Sequence, residues 1–116
     1  MSSYNTDLDK NAANYVPLTP LTFIKRAKEI YPDYEALIYE DRKYSWAEVY
    51  KRTVKFASAL SKAGIRKGDT VSFLAFNTPE IFEGHYSVPM TGAVLNTINI
   101  RSVSYTHLTL PTIFRV

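Results

Sequence analysis

A chain of 116 residues with 46% hydrophobic content has enough apolar side chain to bury one small core, which excludes a disordered polypeptide. Its formal net charge of +3 is spread along the chain rather than gathered into a stripe, so no nucleic-acid partner is expected. The absence of cysteine excludes disulfides and thiolate metal sites, and no run is apolar enough for a signal peptide or a transmembrane segment, so a cytoplasmic protein is expected.

Residues 1–16 have no period and few large apolar groups, which predicts an extended arm that needs a larger body to lie on. Thr19-Pro20 then opens a helix: Leu21, Ile24, Ala27 and Ile30 or Tyr31 recur at helical spacing, with charged residues between them and Pro32 as the stop. Glu35 to Tyr39 reads as a strand, Glu40-Asp41-Arg42 as a turn and Lys43 to Ser45 as a short return strand, a hairpin without the usual glycine. Ser45-Trp46-Ala47-Glu48 matches a capping box, in which each end residue satisfies a backbone N–H of the other. From there Trp46, Val49, Tyr50, Thr53, Phe56, Ala57 and Leu60 form one apolar stripe, while Lys51, Arg52, Lys55 and Lys62 are expected to face away. Gly64 is the expected left-handed stop, with Ile65 folding back on the last turn.

The next stretch is the best punctuated. Gly68-Asp69 marks a turn, and Thr70 to Phe76 is a run of β-branched and aromatic residues suited to a strand covered on both faces. Asn77-Thr78-Pro79-Glu80 then starts a helix, with Thr78 as cap, Pro79 at the position that has no N–H to lose, and Glu80 at the positive end of the dipole. Gly92 ends that helix and Ala93 to Ile98 is the following strand. Two strands joined by a crossover helix are expected to be parallel, with a right-handed connection. The fold class expected is therefore α/β: helix, hairpin, helix, then a βαβ unit.

The same residues carry a resemblance. GDTV, NTPE and EGHYSVPMTGAVLNTINIR, together with NAANYVPLTPLTFIKRAKEIYPDYEALIYEDRKYSWAEVYKR upstream, resemble the opening of the adenylate-forming acyl-CoA synthetases, the AMP-dependent synthetase and ligase superfamily. The similarity runs from about Asn11 to Arg101, a succession of short motifs in order. It implies that residues 17–101 are a truncated N-terminal α/β module of a larger enzyme. That enzyme would join a fatty or other small hydrophobic carboxylic acid to coenzyme A with ATP and Mg²⁺, through an acyl-adenylate, releasing AMP and pyrophosphate. An aryl-CoA ligase or a peptide-synthetase adenylation domain would share this opening. A free-standing α/β binding module is the alternative from another class.

After Arg101 the similarity stops. A transposase-library sequencing adapter, translated in frame, gives VSYTHLTLPT, which is Val103 to Thr112 without a mismatch. The adapter's index segment followed by GTG and the stop TAG accounts for Val116 and the chain end. Residues 102–116 are therefore expected to be a non-native tail. The competing reading is a real C-terminal strand, since Val103, Tyr105 and Thr106 have good β-propensity.

No residue qualifies as catalytic, cofactor-binding or metal-binding. The phosphate loop, the Mg²⁺-coordinating segment and the C-terminal lysine of the resembled enzymes have no counterpart here, nor is a G-x-x-x-x-G-K-[ST] loop present. The fragment itself is thus expected to be inactive and to hold no cofactor. His85 is expected to bond within its helix, and Glu80 and Glu83 to be a solvated carboxylate pair. The helix start at Asn77-Thr78 follows a strand, where α/β folds place anions, but without glycines it reads as an ordinary cap. Asn96, Thr97, Asn99 and Arg101 end the last strand, where they would either line a substrate cleft in a complete enzyme or satisfy turn backbone.

Overall fold

The computed structural model describes residue 7 and residues 9–100. Arg101 and the adapter-like stretch 102–116 lie outside the described residues, as does most of 1–8. The order is α1 (Pro20–Ile30), β1 (Glu35–Tyr39), β2 (Arg42–Ser45), α2 (Trp46–Lys62), β3 (Thr70–Leu74), α3 (Pro79–Met90) and β4 (Val94–Ile98). β1 and β2 form an antiparallel hairpin, and β3 and β4 pair parallel in register from Thr70 opposite Val94 to Leu74 opposite Ile98. The expected α/β order and the parallel pair are both present. The segment ahead of α1 carries a local turn, in which Asn11 Oδ1 accepts from the Ala13 N–H at 2.8 Å.

The core lies between α2, α3 and the β3–β4 pair. Leu60, Ile65, Val71, Val88 and Ala93 are buried together, with Phe56, Phe73 and Leu95 packed around them. α2 supplies its stripe as expected: Val49, Thr53 and Leu60 are buried and Arg52 departs from the outward set. The α2 stop is a Schellman arrangement. Ile65 N–H reaches Leu60 O at 3.1 Å, Gly64 N–H reaches Ser61 O at 3.1 Å, and Gly64 has φ of 99°. Burying Leu60 against Ile65 seals that end of the helix.

Several local expectations are corrected. β3 ends at Leu74 rather than Phe76, because the chain turns at Phe76, whose carbonyl accepts from the Thr78 N–H at 2.8 Å. Its centre, Val71 and Ser72, is buried on both faces, but Leu74 is exposed. In the hairpin β2 begins at Arg42, which leaves a two-residue loop, and Glu40 takes the left-handed backbone (φ 54°) that glycine would supply. Thr19 and Thr78 have extended cap backbones but make no side-chain capping bond, since a proline has already removed one of the free donors that follow. Ser45 does cap, accepting from the Glu48 N–H at 3.2 Å, while exposed Glu48 does not close the box. The other free N–H groups of α2 go to the loop behind it: Trp46 N–H to Tyr34 O at 3.0 Å and Ala47 N–H to Pro32 O at 3.1 Å. In α1 only Ile24 is fully buried; Ile30 and Tyr31 are exposed.

Candidate functional site

Parallel strands bring their C-terminal ends to one edge, and open α/β sheets place ligands outside that edge. Here β3 and β4 end beside the first turn of α3, and the three enclose a crevice of about 600 Å³. Phe76, Asn77 and Ile81 form one wall and Thr97, Asn99 and Ile100 the other. Of the strand-end residues singled out in the sequence, Thr97 and Asn99 therefore line the crevice, whereas Asn96 turns away to donate to Ser72 Oγ at 3.1 Å. A second groove of about 440 Å³ runs between β1 and α3, walled by Leu37, Tyr39, Pro79, Phe82, His85 and Tyr86. Its walls are mostly hydrocarbon and aromatic. The crevice, with an amide, a hydroxyl and backbone ends converging, has the mixed character of a ligand site.

The α3 N-terminus that walls the crevice is held by a charged network absent from the sequence reading. Glu83 is buried, not solvated, and meets Arg52 of α2 through both oxygens, at 2.5 Å to Nε and 3.2 Å to Nη2. Arg52 accordingly turns inward, correcting its expected outward placement. Glu80, half exposed, accepts from Arg42 of β2 at 2.8 Å and lies 3.7 Å from Arg52. Tyr44 sits between the two guanidinium groups: its hydroxyl accepts from Arg42 at 2.7 and 3.0 Å, and Arg52 stacks 4.5 Å from its ring centre. The hydrogen bond from Arg42 holds the Glu80 carboxyl down at about 2, helped by its own backbone N–H at the helix start and by Thr78. Hydrogen bonds to Glu80 and then Tyr44 raise Arg42, and the bond to Glu83 raises Arg52. One signal in the sequence bears on this: α3 is apolar nearly all round, so a carboxylate in its middle has little room to reach water.

His85 Nδ1 lies 2.7 Å from Ile81 O. A carbonyl only accepts, so Nδ1 carries the proton and the ring is held on its own helix. Among the described residues no three of His, Cys, Asp and Glu converge in a metal-binding group. The helix start at the crevice presents Glu80, whose charge opposes a phosphate, instead of glycines or a lysine. The residues present therefore do not fit ATP or Mg²⁺ unaided, and no chemical step is assigned to them.

The profile of the AMP-binding enzyme family matches residues 24–107. This chain belongs to that family. The match ends inside the adapter-like stretch. An acetate–CoA ligase of Humulus lupulus is 48% identical over 95 residues, covering 82% of this chain and 17% of the ligase. A peroxisomal trans-cinnamate:CoA ligase of Petunia hybrida is 50% identical over the same length, again with 82% and 17% covered. The unliganded o-succinylbenzoate coenzyme A synthetase of Bacillus subtilis superposes with a TM-score of 0.70 at 26% identity, over 74% of this chain and 19% of the synthetase. The chain thus spans about a sixth of the length of the curated relatives it matches, and its sequence is that of a fragment of such an enzyme. No helix among the described residues is long and apolar enough to cross a membrane.

Proposed function

We propose that residues 17–101 are the opening of an ATP-dependent acyl-CoA synthetase acting on a fatty or other small hydrophobic carboxylic acid. The parent enzyme forms an acyl-adenylate and pyrophosphate and then passes the acyl group to coenzyme A with release of AMP. Mg²⁺, the phosphates and the catalytic groups would be held by segments beyond Arg101. This chain contributes one wall of the cleft, at the C-terminal ends of β3 and β4, and is inactive alone. The observation that carries the reading is near-50% identity to ligases named for acetate and for trans-cinnamate, one small aliphatic acid and one aryl acid. The aryl-CoA branch is the second reading, on the strength of the latter.

The same reading treats residues 1–16 as an arm laid on the parent's body and residues 102–116 as foreign to it. Amplifying the source DNA across codon 102 tests both. A frame that runs on past Arg101 into a Ser/Thr/Gly-rich loop ending in Pro-Lys is the expected result. A genomic sequence reading through Ser102 to a stop after Val116 would instead leave a free-standing α/β module. The parent is taken to be cytoplasmic; the Petunia relative is named as peroxisomal. Import of the tagged full-length protein into peroxisomes would overturn that assignment.

A further inference from the structure

α3 is turned against its own hydrophobicity. Its fully buried residues are Pro79, Glu83, Gly84, Ser87 and Val88, while Ile81, Phe82, Tyr86 and Met90 are only half-buried. Of the inward set, Glu83 is a carboxylate, Gly84 has no side chain and the Ser87 hydroxyl finds no partner among the described residues. Burial of hydrocarbon would favour a rotation that brings Ile81 and Phe82 inward, so something else selects the one observed. The rotation matters for the crevice. Asn77 and Ile81 line both the crevice and the apolar groove beside β1, and so form the ridge between them. A roll of about 30° carries a side-chain tip about 5–6 Å from the helix axis by about 3 Å, which would widen one cavity and narrow the other.

We propose that Arg52 is the positioning residue of the crevice, holding α3 in this rotation through Glu83. The two are joined by a fork, Nε to Oε1 at 2.5 Å and Nη2 to Oε2 at 3.2 Å, and a two-toothed bond fixes angle as well as distance. Glu83 is 5% exposed, so α3 cannot roll without parting a buried charge from its partner. The bond from Arg42 to Glu80 is single-toothed and half exposed, which makes it the weaker hold. Gly84 completes the arrangement, since its missing side chain leaves room for the Phe73 ring only on this side of the helix. Buried ion pairs are often dispensable for stability, and here the pair selects which face of α3 turns inward and therefore where Asn77 and Ile81 stand.

Spin labels at Ser58→Cys in α2 and His85→Cys in α3, both exposed positions in a chain without cysteine, read the rotation as an inter-label distance in the full chain. The wild-type background should give one narrow distance. Arg52→Met with Glu83→Gln removes the fork and both charges but keeps the polar pattern of α3. Folded by circular dichroism, it should show a distance shifted by about 3 Å or split in two. Arg52→Met with Glu83→Leu makes the inward face apolar and should restore the single distance, which a loss of stability alone would not do. Arg52→Lys keeps the charge without the fork and should broaden the distance, so the fork is tested even where the Gln variant fails to fold. Arg42→Ala should leave the distance narrow. The label distance needs no substrate and decides the role of Arg52 independently of the enzymatic reading. A broad distribution in the wild-type background, or the wild-type distance retained in the folded Gln variant or in Arg52→Lys, would overturn the proposal.

Discussion

Three residues in the α2–α3 contact, Thr53, Ser87 and Gly84, bear on how tightly the core can close. Thr53 and Ser87 are fully buried, and neither hydroxyl has a hydrogen-bond partner among the described residues. Thr53→Val removes a buried unsatisfied group at constant shape and is expected to raise stability by about 1 kcal/mol, read from urea unfolding. Gly84 lies where a β-carbon would come within 2.9 Å of the Phe73 ring, which itself packs edge to face with Phe56 at a centroid distance of 5.8 Å. Gly84→Ala gains about 1 kcal/mol of helix propensity, yet overpacking costs typically about 1–3 kcal/mol, so a net loss is expected. Glu80 gives the acid limb. Its carboxyl titrates at about 2 in the fold against an ordinary 4.5, so the unfolded chain holds that proton more tightly. Its contribution is complete above pH 4.5 and is lost as pH falls toward about 2. Because 49% of the side chain is exposed, solvent screening keeps the effect small. Arg42→Ala should lower stability slightly near neutral pH and flatten its fall over that window, so that the two profiles converge toward about pH 2; a profile parallel to wild type would show that the pair carries no linkage.

Elements whose boundaries rest on local backbone chemistry were legible in the sequence. Gly64 with Ile65 gave the α2 stop to the residue, and Ser45 gave its start, because a left-handed glycine and a capping hydroxyl act within one turn. Ser45→Ala is expected to cost about 1 kcal/mol, measurable as a lowered urea midpoint, and an unchanged midpoint would mean that the Tyr34 and Pro32 carbonyls hold the α2 start without it. The parallel pairing of β3 and β4 followed from the crossover helix between them. What could not be read locally was set by distant partners. Glu83 and Arg52 are 31 positions apart, and only the approach of α3 to α2 turns two apparently solvated charges into a buried pair. The same holds for the crevice: Thr97 and Asn99 were visible as strand-end polar residues, but Asn77 and Ile81 join them only once α3 is docked. Ile30 and Tyr31 fit the α1 period yet stay exposed, since among the described residues no element lies over that end of the helix.

At the scale of the molecule, the described residues form a core with exposed apolar groups at its borders: Leu74 and Val94 on the parallel pair, Phe76 just beyond β3 and Ile38 on the hairpin. A two-stranded parallel sheet is seldom stable alone, and the relatives are about six times longer than the portion matched here. On the proposed function, the chain is scaffold for a cleft whose reactive groups lie elsewhere in the parent. The most direct test is AMP release by the full-length enzyme recovered from the source gene, measured with a panel of aliphatic and aryl acids, with and without coenzyme A. Acid-dependent AMP formation that requires coenzyme A for turnover, together with no ATP–pyrophosphate exchange by residues 1–116 alone, is the predicted result. AMP formation indifferent to coenzyme A, or exchange activity in the 116-residue chain itself, would contradict it.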